Sequence, residues 1–159
     1  MIIRRAAAGD RAALAAALAS DATFKPDEIA VALELVDLSL AGSPDYELRV
    51  AELDGRVIGY VCFGPTPMTR ATWDLYWVVV DLSARGKGVA RALISAMETE
   101  LAARGGGHVR VETSETEGYG AARTLYARLG YPEAARLADF YAPGDALLVY
   151  YKRVDAAPP

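Results

Sequence analysis

A strand-like run of apolar residues leads directly into a turn rich in glycine and basic side chains. The run covers residues 75–80, and residues 85–88 read R-G-K-G before a helix-like segment begins. The first backbone N–H groups of a helix have no partner within it, and the helix dipole adds positive charge there. Glycines let an anion approach these amides closely, and basic side chains add charge. The pattern predicts an anion site, with a diphosphate-bearing ligand as the natural candidate.

Two common phosphate-binding motifs do not fit this turn. A P-loop needs a glycine at the position of Asp81 and a serine or threonine at that of Gly88. The three-glycine fingerprint of dinucleotide sites needs its third glycine at the position of Arg91. The residues therefore exclude both motifs.

The motif that does fit is R-x-x-G-x-A, from Arg85 to Ala90, directly after the predicted strand. It resembles the acyl-CoA site of the GNAT superfamily of N-acetyltransferases. Residues 122–131, A-R-T-L-Y-A-R-L-G-Y, are similar to the late helix of that family. Residues 109–114 and 139–145 are similar to two segments of one of its branches. The resemblance covers nearly the whole chain and is strongest from residue 74 to residue 153.

The resemblance implies that an acetyl group moves from acetyl-CoA to a primary amine by direct attack in a ternary complex. Val78 and Val80 match positions whose free amides contact the thioester and the pantetheine arm. Tyr126 matches a general acid for the CoA thiolate, because a phenol with a pKa of about 10 stays protonated at neutral pH. The alternative for Tyr126 is an aromatic packed on the inner face of its helix. The implied cofactor contacts are Val78, Val79, Val80, Arg85, Gly86, Lys87, Gly88, Val89, Ala90, Arg91 and Tyr119.

Tyr119 departs from the family pattern, because many members have an asparagine there that contacts the CoA arm. A tyrosine at this position either packs on or donates to the pantetheine, or is a surface helix residue. The attacking amine must also lose a proton. Glu112, at the end of a predicted buried strand, is the first candidate base, because burial would make its carboxylate more basic, and Asp74 is the second. For both, a structural, hydrogen-bonded or ion-paired carboxylate is the alternative.

Acceptor selectivity is expected from the first two helices, their loop and later aromatic residues. Aromatic rings with scattered carboxylates suit a small amine or a peptide amine, although the same residues are compatible with plain core or surface positions. Two other functions stay open: a module that binds acyl-CoA without turnover, and an acyltransferase for longer donors. The predicted substrate contacts are Phe24, Glu28, Trp73, Tyr76 and Tyr141.

Length and composition are those of one globular domain, predicted over residues 1–154 with a disordered tail at 155–159. Of the 159 residues, 53% are apolar and 24% charged. The net charge of −4 argues against a nucleic-acid partner and suits a cationic amine. No apolar run reaches about 18 residues, and no leader pattern is present, so a cytoplasmic protein without a membrane partner is expected. The oligomeric state stays open, although similar proteins are commonly homodimers.

The single cysteine and the single histidine argue against a metal site. Cys62 lies in the apolar run 57–63 and is predicted to be a buried strand residue. One cysteine allows neither an internal disulfide nor a cysteine-based zinc site. His108 follows three glycines at a predicted strand start, which favours a surface or turn position. No metal is predicted.

Periodicity and turn signals predict a mixed α/β sandwich. Asp54-Gly55 is a strong hairpin signal, and Asp10 is expected to cap the first helix. The resemblance implies a mostly antiparallel sheet of six to seven strands, with the fourth and fifth strands splayed, flanked by about four helices. Strands are predicted near residues 2–6, 46–53, 56–64, 72–80 and 108–113, with two more at the end, and later helices near 26–40, 88–104 and 119–129.

Overall fold

The computed structural model describes residues 1–158 as one mixed sheet between two layers of helices. The strands are β1 Ile2–Arg5, β2 Glu47–Leu53, β3 Arg56–Pro65, β4 Thr72–Val80, β5 Gly107–Ser114, β6 Glu133–Ala142 and β7 Asp145–Val154. The helices are α1 Arg11–Ala19, α2 Pro26–Leu40, α3 Val89–Ala103 and α4 Gly120–Arg128, and short 3-10 turns cover Ala8–Asp10, Leu82–Ala84 and Glu117–Tyr119.

Within residues 1–158 the sheet has seven strands in the order β1-β2-β3-β4-β5-β7-β6. Neighbouring strands are antiparallel except β4 and β5, which are parallel. These two strands pair only from Thr72↔His108 to Leu75↔Val111, so they part beyond that point. The predicted mixed α/β fold with a splayed central pair is confirmed.

One face of the sheet is covered by α3 and α4. The predicted stripe of α3 is buried in full, with Val89, Leu93, Met97 and Leu101 at most 2% exposed. Apolar residues at this spacing lie on one side of a helix, which here faces the sheet. The helix ends at the predicted glycines, where the backbone N–H of Gly106 donates to the Leu101 carbonyl at 2.9 Å. This packing fixes the N-terminal end of α3 against the end of β4.

The other face is covered by α1 and α2. Leu14, Leu18 and Val36 are fully buried against Val50 and Tyr60 of the sheet. The helix α2 begins at Pro26, as predicted, because proline fits the first turn, where its missing N–H is not needed. The loop between α1 and α2 is thereby held beside the C-terminal end of β4.

The prediction that Asp10 caps α1 is wrong. Its side chain makes no capping bond to that helix. Instead, its carboxylate accepts from the backbone N–H of Ala7 at 2.8 Å and from both terminal nitrogens of Arg4, at 2.8 and 2.9 Å. A short 3-10 turn precedes α1, and a nearby guanidinium attracts the carboxylate more strongly than the helix amides do.

Cys62 and His108 lie on strands. Cys62 is fully buried in β3, as predicted. His108 is partly buried in β5, where its ring stacks on Tyr151 with centroids 4.8 Å apart, rather than lying in a turn. Across the described part of the chain, no group of three or more His, Cys, Asp or Glu side chains is arranged to hold a metal ion.

The C-terminal residues bear on the predicted tail. Residues 155–158 have no regular secondary structure, yet the backbone N–H of Ala157 donates to the Ala102 carbonyl at 2.9 Å. Pro159 lies outside the described residues, and the division into a domain and a tail stays a prediction. Over residues 1–158, none of the helices combines the length and apolar character needed to cross a membrane.

Candidate active site

The turn between β4 and α3, residues 85–91, is called the basic turn below. Gly86 and Gly88 have φ angles of 74° and 76°, which glycine adopts without strain. A Cβ built on either glycine would meet no atom within 4 Å, so the space above the turn is open. Among the described residues, the backbone N–H groups of 86–91 donate to no acceptor. The turn therefore presents a row of free amides to an open space, as an anion site requires.

The basic side chains of this turn are partly engaged. Arg85 forms an ion pair with Asp21, which lies in the loop between α1 and α2. Burial acts to raise the pKa of Asp21, but hydrogen bonds from Thr23 and Arg85 outweigh it and lower that pKa. Lys87 donates from Nζ to the Ser83 carbonyl at 3.2 Å, and the side chain of Arg91 is exposed. The charge predicted for a phosphate is present, and Arg85 has a carboxylate that a phosphate would displace.

The basic turn is tied to the neighbouring loop by a second contact. The backbone N–H of Leu82 donates to Oγ of Ser20 at 3.1 Å. Together with the Arg85–Asp21 pair, this contact fixes residues 20–25 against the end of β4. The side chains that follow, from Thr23 onward, line the cavity described next.

A cavity of about 910 Å³ opens where β4 and β5 part. Beyond Leu75, β4 pairs with β3 on one side only over the described residues. Backbone amides along an antiparallel strand alternate in direction, so part of this segment turns its N–H groups to the gap. Residues along the walls are Thr23, Phe24, Lys25, Asp27, Glu28, Val31, Leu35, Asp74, Leu75, Tyr76, Trp77, Val78, Arg110, Glu112, Thr113, Ser114, Thr116, Gly118, Tyr119, Ala122, Tyr126, Tyr141 and Asp145.

The three valines of β4 alternate between the two faces of the sheet. Val78 lines the cavity and also packs against the core beneath α3. Val79 is 2% exposed and packs into the core under α1 and α2. Val80 packs against the same core as Val78, and Val89 at the start of α3 is part of that core. The side chains of Val79, Val80 and Val89 are not on the cavity wall.

Tyr126 combines deep burial with an unused hydroxyl. It is 4% exposed, and its ring packs against Tyr131 and Tyr150 at centroid distances of 6.1 and 5.5 Å. It lines the cavity, and none of the described residues hydrogen-bonds its hydroxyl. Burial, and then the neighbouring Tyr150, raise the pKa of Tyr126 above its ordinary value. The phenol is therefore protonated at neutral pH and available as a donor to a ligand.

Of the two candidate bases, Glu112 is more exposed than the sequence predicted, and Asp74 makes the contacts of the structural alternative. Glu112 lies on the cavity wall, but its side chain is 45% exposed, so the burial expected for it is absent. An alternating strand directs it to the open gap. Asp74 is buried, with one oxygen accepting from Thr66 Oγ1 at 2.9 Å and the other from Arg110 Nε at 2.6 Å. Its contacts are those of a structural carboxylate.

Tyr119 spans the cavity toward α2. Its hydroxyl donates to Oε1 of Glu28 at 2.6 Å, and Oε2 of Glu28 accepts from the backbone N–H of Lys25 at 2.7 Å. Burial and then the bond to Glu28 raise the pKa of Tyr119, so the phenol stays protonated. The side chain that replaces the family's asparagine thus joins the start of α4 to the start of α2.

Four of the five predicted substrate contacts meet in the cavity, namely Phe24, Glu28, Tyr76 and Tyr141. Burial, and then Asp74, raise the pKa of Tyr76 to about 12. The prediction for Trp73 is wrong. Its ring lies on the opposite face of the sheet, 6.5 Å from Phe63 and 5.4 Å from the guanidinium of Arg104. Trp73 and Tyr76 lie three positions apart in β4, so the alternation of side chains along the strand places them on different faces.

Sequence reasoning missed three charged residues of this region. Asp21 holds Arg85, Arg110 holds Asp74, and Asp145 accepts from Ser114 Oγ at 2.6 Å on the cavity wall. A usable signal existed only for Arg110, which lies opposite Asp74 once the two strands are paired in parallel. Asp21 and Asp145 are placed by loops, which carry no periodic pattern.

Comparisons with known proteins agree with this geometry. Residues 44–133 match the family model described as the acetyltransferase (GNAT) domain. An uncharacterized N-acetyltransferase from Methanocaldococcus jannaschii, MJ1530, is 31% identical over 114 residues, which are 69% of this chain and 69% of that protein.

Solved structures extend the likeness to the whole fold. A protein of Desulfovibrio desulfuricans, described as an acetyltransferase of the GNAT family, is 34% identical, with a TM-score of 0.90 over 96% of this chain and 98% of that one. An aminoglycoside 6′-N-acetyltransferase complexed with coenzyme A is 17% identical, with a TM-score of 0.76 over 100% of both chains, and shares the fold. On the family match and these relatives, the chain belongs to the GNAT family of acetyltransferases.

Proposed function

We propose that this protein transfers an acetyl group from acetyl-CoA to a primary amine by direct attack in a ternary complex. Three neighbouring features carry the proposal. They are the free amides of the basic turn, the edge of β4 left unpaired where β5 parts from it, and the Tyr126 hydroxyl on the wall of the cavity beside that edge. A diphosphate, an extended arm and a thioester match these features chemically.

The residues fit the CoA moiety at its charged end. Free amides at the start of α3 and the open space above Gly86 and Gly88 suit a diphosphate. Arg85, Lys87 and Arg91 add positive charge. The solved neighbour complexed with coenzyme A, which has the same fold, supports this assignment. When bound, acetyl-CoA supplies the thioester carbonyl that the amine attacks.

The chain supplies donors and a proton route. Amides of β4 near Val78 that face the gap stabilise the negative charge that develops on the thioester oxygen. Tyr126 donates its phenolic proton to the departing sulfur. Glu112 is our candidate for taking a proton from the acceptor ammonium and passing it to solvent, since it is ion-paired only loosely, at 3.7 Å from Arg110. Asp74 holds Arg110 in place as a structural carboxylate.

The overall reaction balances with one proton released. The acceptor ammonium gives one proton to solvent, and its nitrogen forms a bond to the carbonyl carbon. The C–S bond breaks, and the sulfur leaves with the proton of Tyr126. The amine nitrogen gives up its second proton, which restores the phenol of Tyr126. The products are an amide and the free CoA thiol.

The decisive experiment measures acetyl-CoA binding and CoA release in parallel. Calorimetry should show micromolar binding, about −8 kcal/mol. Tyr126→Phe should lower kcat about 100-fold with little change in acetyl-CoA affinity, because a leaving-group donor acts in the transition state. Tyr131→Phe is the matched control. It removes a hydroxyl of the same aromatic cluster that donates to Glu98 instead, so kcat should stay near that of the wild type.

Three outcomes would change the proposal. No binding of acetyl-CoA would contradict the cofactor assignment itself. Binding without CoA release from any amine would favour a module that senses acyl-CoA. Full activity of Tyr126→Phe would leave the transfer reaction in place and remove the tyrosine as its acid.

A further inference from the structure

Acidic residues outnumber basic residues in the lining of the cavity. Five are acidic and two are basic. Asp74 and Arg110 cancel each other through their ion pair at 2.6 Å. Four carboxylates then remain against one basic group of the lining, the exposed ammonium of Lys25. These carboxylates belong to Asp27, Glu28, Glu112 and Asp145.

Three of these carboxylates line the cavity together with Tyr141. Burial, followed by the negative charges of Glu112, Asp145 and Glu28, raises the pKa of Tyr141. The rings of Tyr119 and Tyr141 line the same region. Because Glu112 is the candidate base for the reacting amine, we call the other two carboxylates, Glu28 and Asp145, the acidic end.

A second observation points to a ligand in this cavity. The Tyr126 side chain is only 4% exposed and lines the cavity, and no hydrogen bond to its hydroxyl is formed by residues 1–158. The hydroxyl is not among the fully buried atoms that lack a partner, so it opens on the cavity. A molecule bound in the cavity can therefore accept its hydrogen bond.

A simple monoamine does not match this charge. The nitrogen that attacks the thioester must be uncharged at that moment, so its own positive charge is lost when the reaction occurs. Carboxylates around it would favour its protonated form, which cannot attack. Carboxylates combined with aromatic rings suit an ammonium that keeps its proton throughout.

We propose that the acceptor carries a second cationic group, as in a diamine or a larger polyamine, which binds the acidic end while its other amine is acetylated. This inference rests on the proposed N-acetyltransferase activity and deepens it. The second ammonium takes part in no bond change. It fixes the distance between the reacting nitrogen and the anchor.

A matched set of four-carbon acceptors tests the inference with the wild-type protein. CoA release is measured with 1,4-diaminobutane, butylamine and 4-aminobutanoate. We expect kcat/KM for the diamine to exceed that for butylamine by about 10-fold or more, and 4-aminobutanoate to be the poorest, because its carboxylate faces the acidic end. Raising the ionic strength to about 0.5 M should shrink the advantage of the diamine. Equal values for the diamine and butylamine would overturn the inference and leave the acetyltransferase intact.

A variant and a binding measurement complete the test. Asp145→Asn keeps an oxygen for Ser114 but removes the charge, so it should lower the ratio of the two kcat/KM values at least about fivefold. Asp37→Asn, at an exposed ion pair with Arg11, should leave the ratio unaltered. Calorimetric titration of 1,4-diaminobutane into the protein with CoA should show weaker binding for Asp145→Asn. CoA release with none of the amines would instead contradict the proposed function.

Discussion

The basic turn and the acidic end carry opposite charges and are built in opposite ways. The basic turn is a single segment of seven consecutive positions, 85–91, and it offers mainly backbone amides. The acidic end takes one carboxylate from α2 and one from the start of β7. A donor shared by a family suits a local backbone motif, whereas an acceptor that differs between members suits side chains from separate elements.

Gly88→Glu tests the basic turn most severely. The new carboxylate would lie at the start of α3. There it would repel a diphosphate and would itself interact with the positive end of the helix dipole. We expect acetyl-CoA affinity to fall about 100-fold by calorimetry. Gly130→Glu is the matched control, because Gly130 has a similar φ of 78° and open space but follows α4. Equal loss of affinity in both variants would show that the position of the new carboxylate does not matter, and would contradict the basic turn as the binding site.

Arg85→Ala tests whether the basic turn and the acidic end act separately. Losing one charge-assisted hydrogen bond should weaken acetyl-CoA binding about 10-fold. The KM for the amine should change far less, because Arg85 is not on the cavity wall. Arg11→Ala, which breaks an exposed pair with Asp37, serves as the control. An amine KM that rises as much as the acetyl-CoA dissociation constant would contradict the separation.

Asp21→Asn should act in the opposite direction on the same turn. Asp21 holds Arg85 while its charge repels an incoming diphosphate. Asparagine keeps an oxygen for the backbone N–H of Thr23 but frees the guanidinium. We expect acetyl-CoA to bind about threefold more tightly in a calorimetric titration. Weaker binding would mean that Asp21 orients Arg85 for the ligand.

Glu47 lies outside the basic turn and the acidic end, so Glu47→Gln should change the stability of the fold but not ligand binding. The hydrogen bond from Arg104 lowers the pKa of Glu47, burial opposes this, and Arg49 lowers it further. Because the folded pKa lies below the unfolded one, the stabilisation is complete above about pH 4.3 and is lost as the pH falls through the folded value.

Urea unfolding at a series of pH values checks this effect. The variant should lose on the order of 1 kcal/mol at neutral pH and depend less on pH in the acid range. Acetyl-CoA affinity should match that of the wild type. Glu34→Gln, at an exposed position, is the control. An unchanged acid dependence in Glu47→Gln would contradict the ionic role of Glu47.

Much of the fold was predictable because its signals are local. The bounds of α2 and β4 follow from Pro26, the apolar spacing and the β-prone run before residue 81. The basic turn was predictable for the same reason. Trp73 is not on the cavity wall, because it lies three positions before Tyr76 and side chains alternate along a strand. The irregularity in β4 comes after Leu75, and it puts the neighbours Tyr76 and Trp77 against the same core, which alternation alone does not predict.

The candidate site likewise has residues that local patterns predicted and features that only strand pairing decided. Tyr126 was singled out through the pattern of its helix, and the structure places its largely buried side chain on the cavity wall, while its role stays a prediction. Glu112 was found, but its expected burial is absent, because β4 and β5 part beside it and leave its side chain in the gap. A splay between two strands is a property of their pairing, which neither strand shows alone.

The sequence by itself determined the order of helices and strands, the family and the glycines and basic residues of the turn. These depend on contacts between residues close along the chain, where backbone sterics and periodicity act directly. Only the tertiary structure decided that Asp21 holds Arg85, that Asp74 is held by Arg110, and that carboxylates from separate elements line one cavity with Tyr141. Such contacts form because burial and strand pairing bring separate elements together, and the charge of a cavity is a sum over all of them.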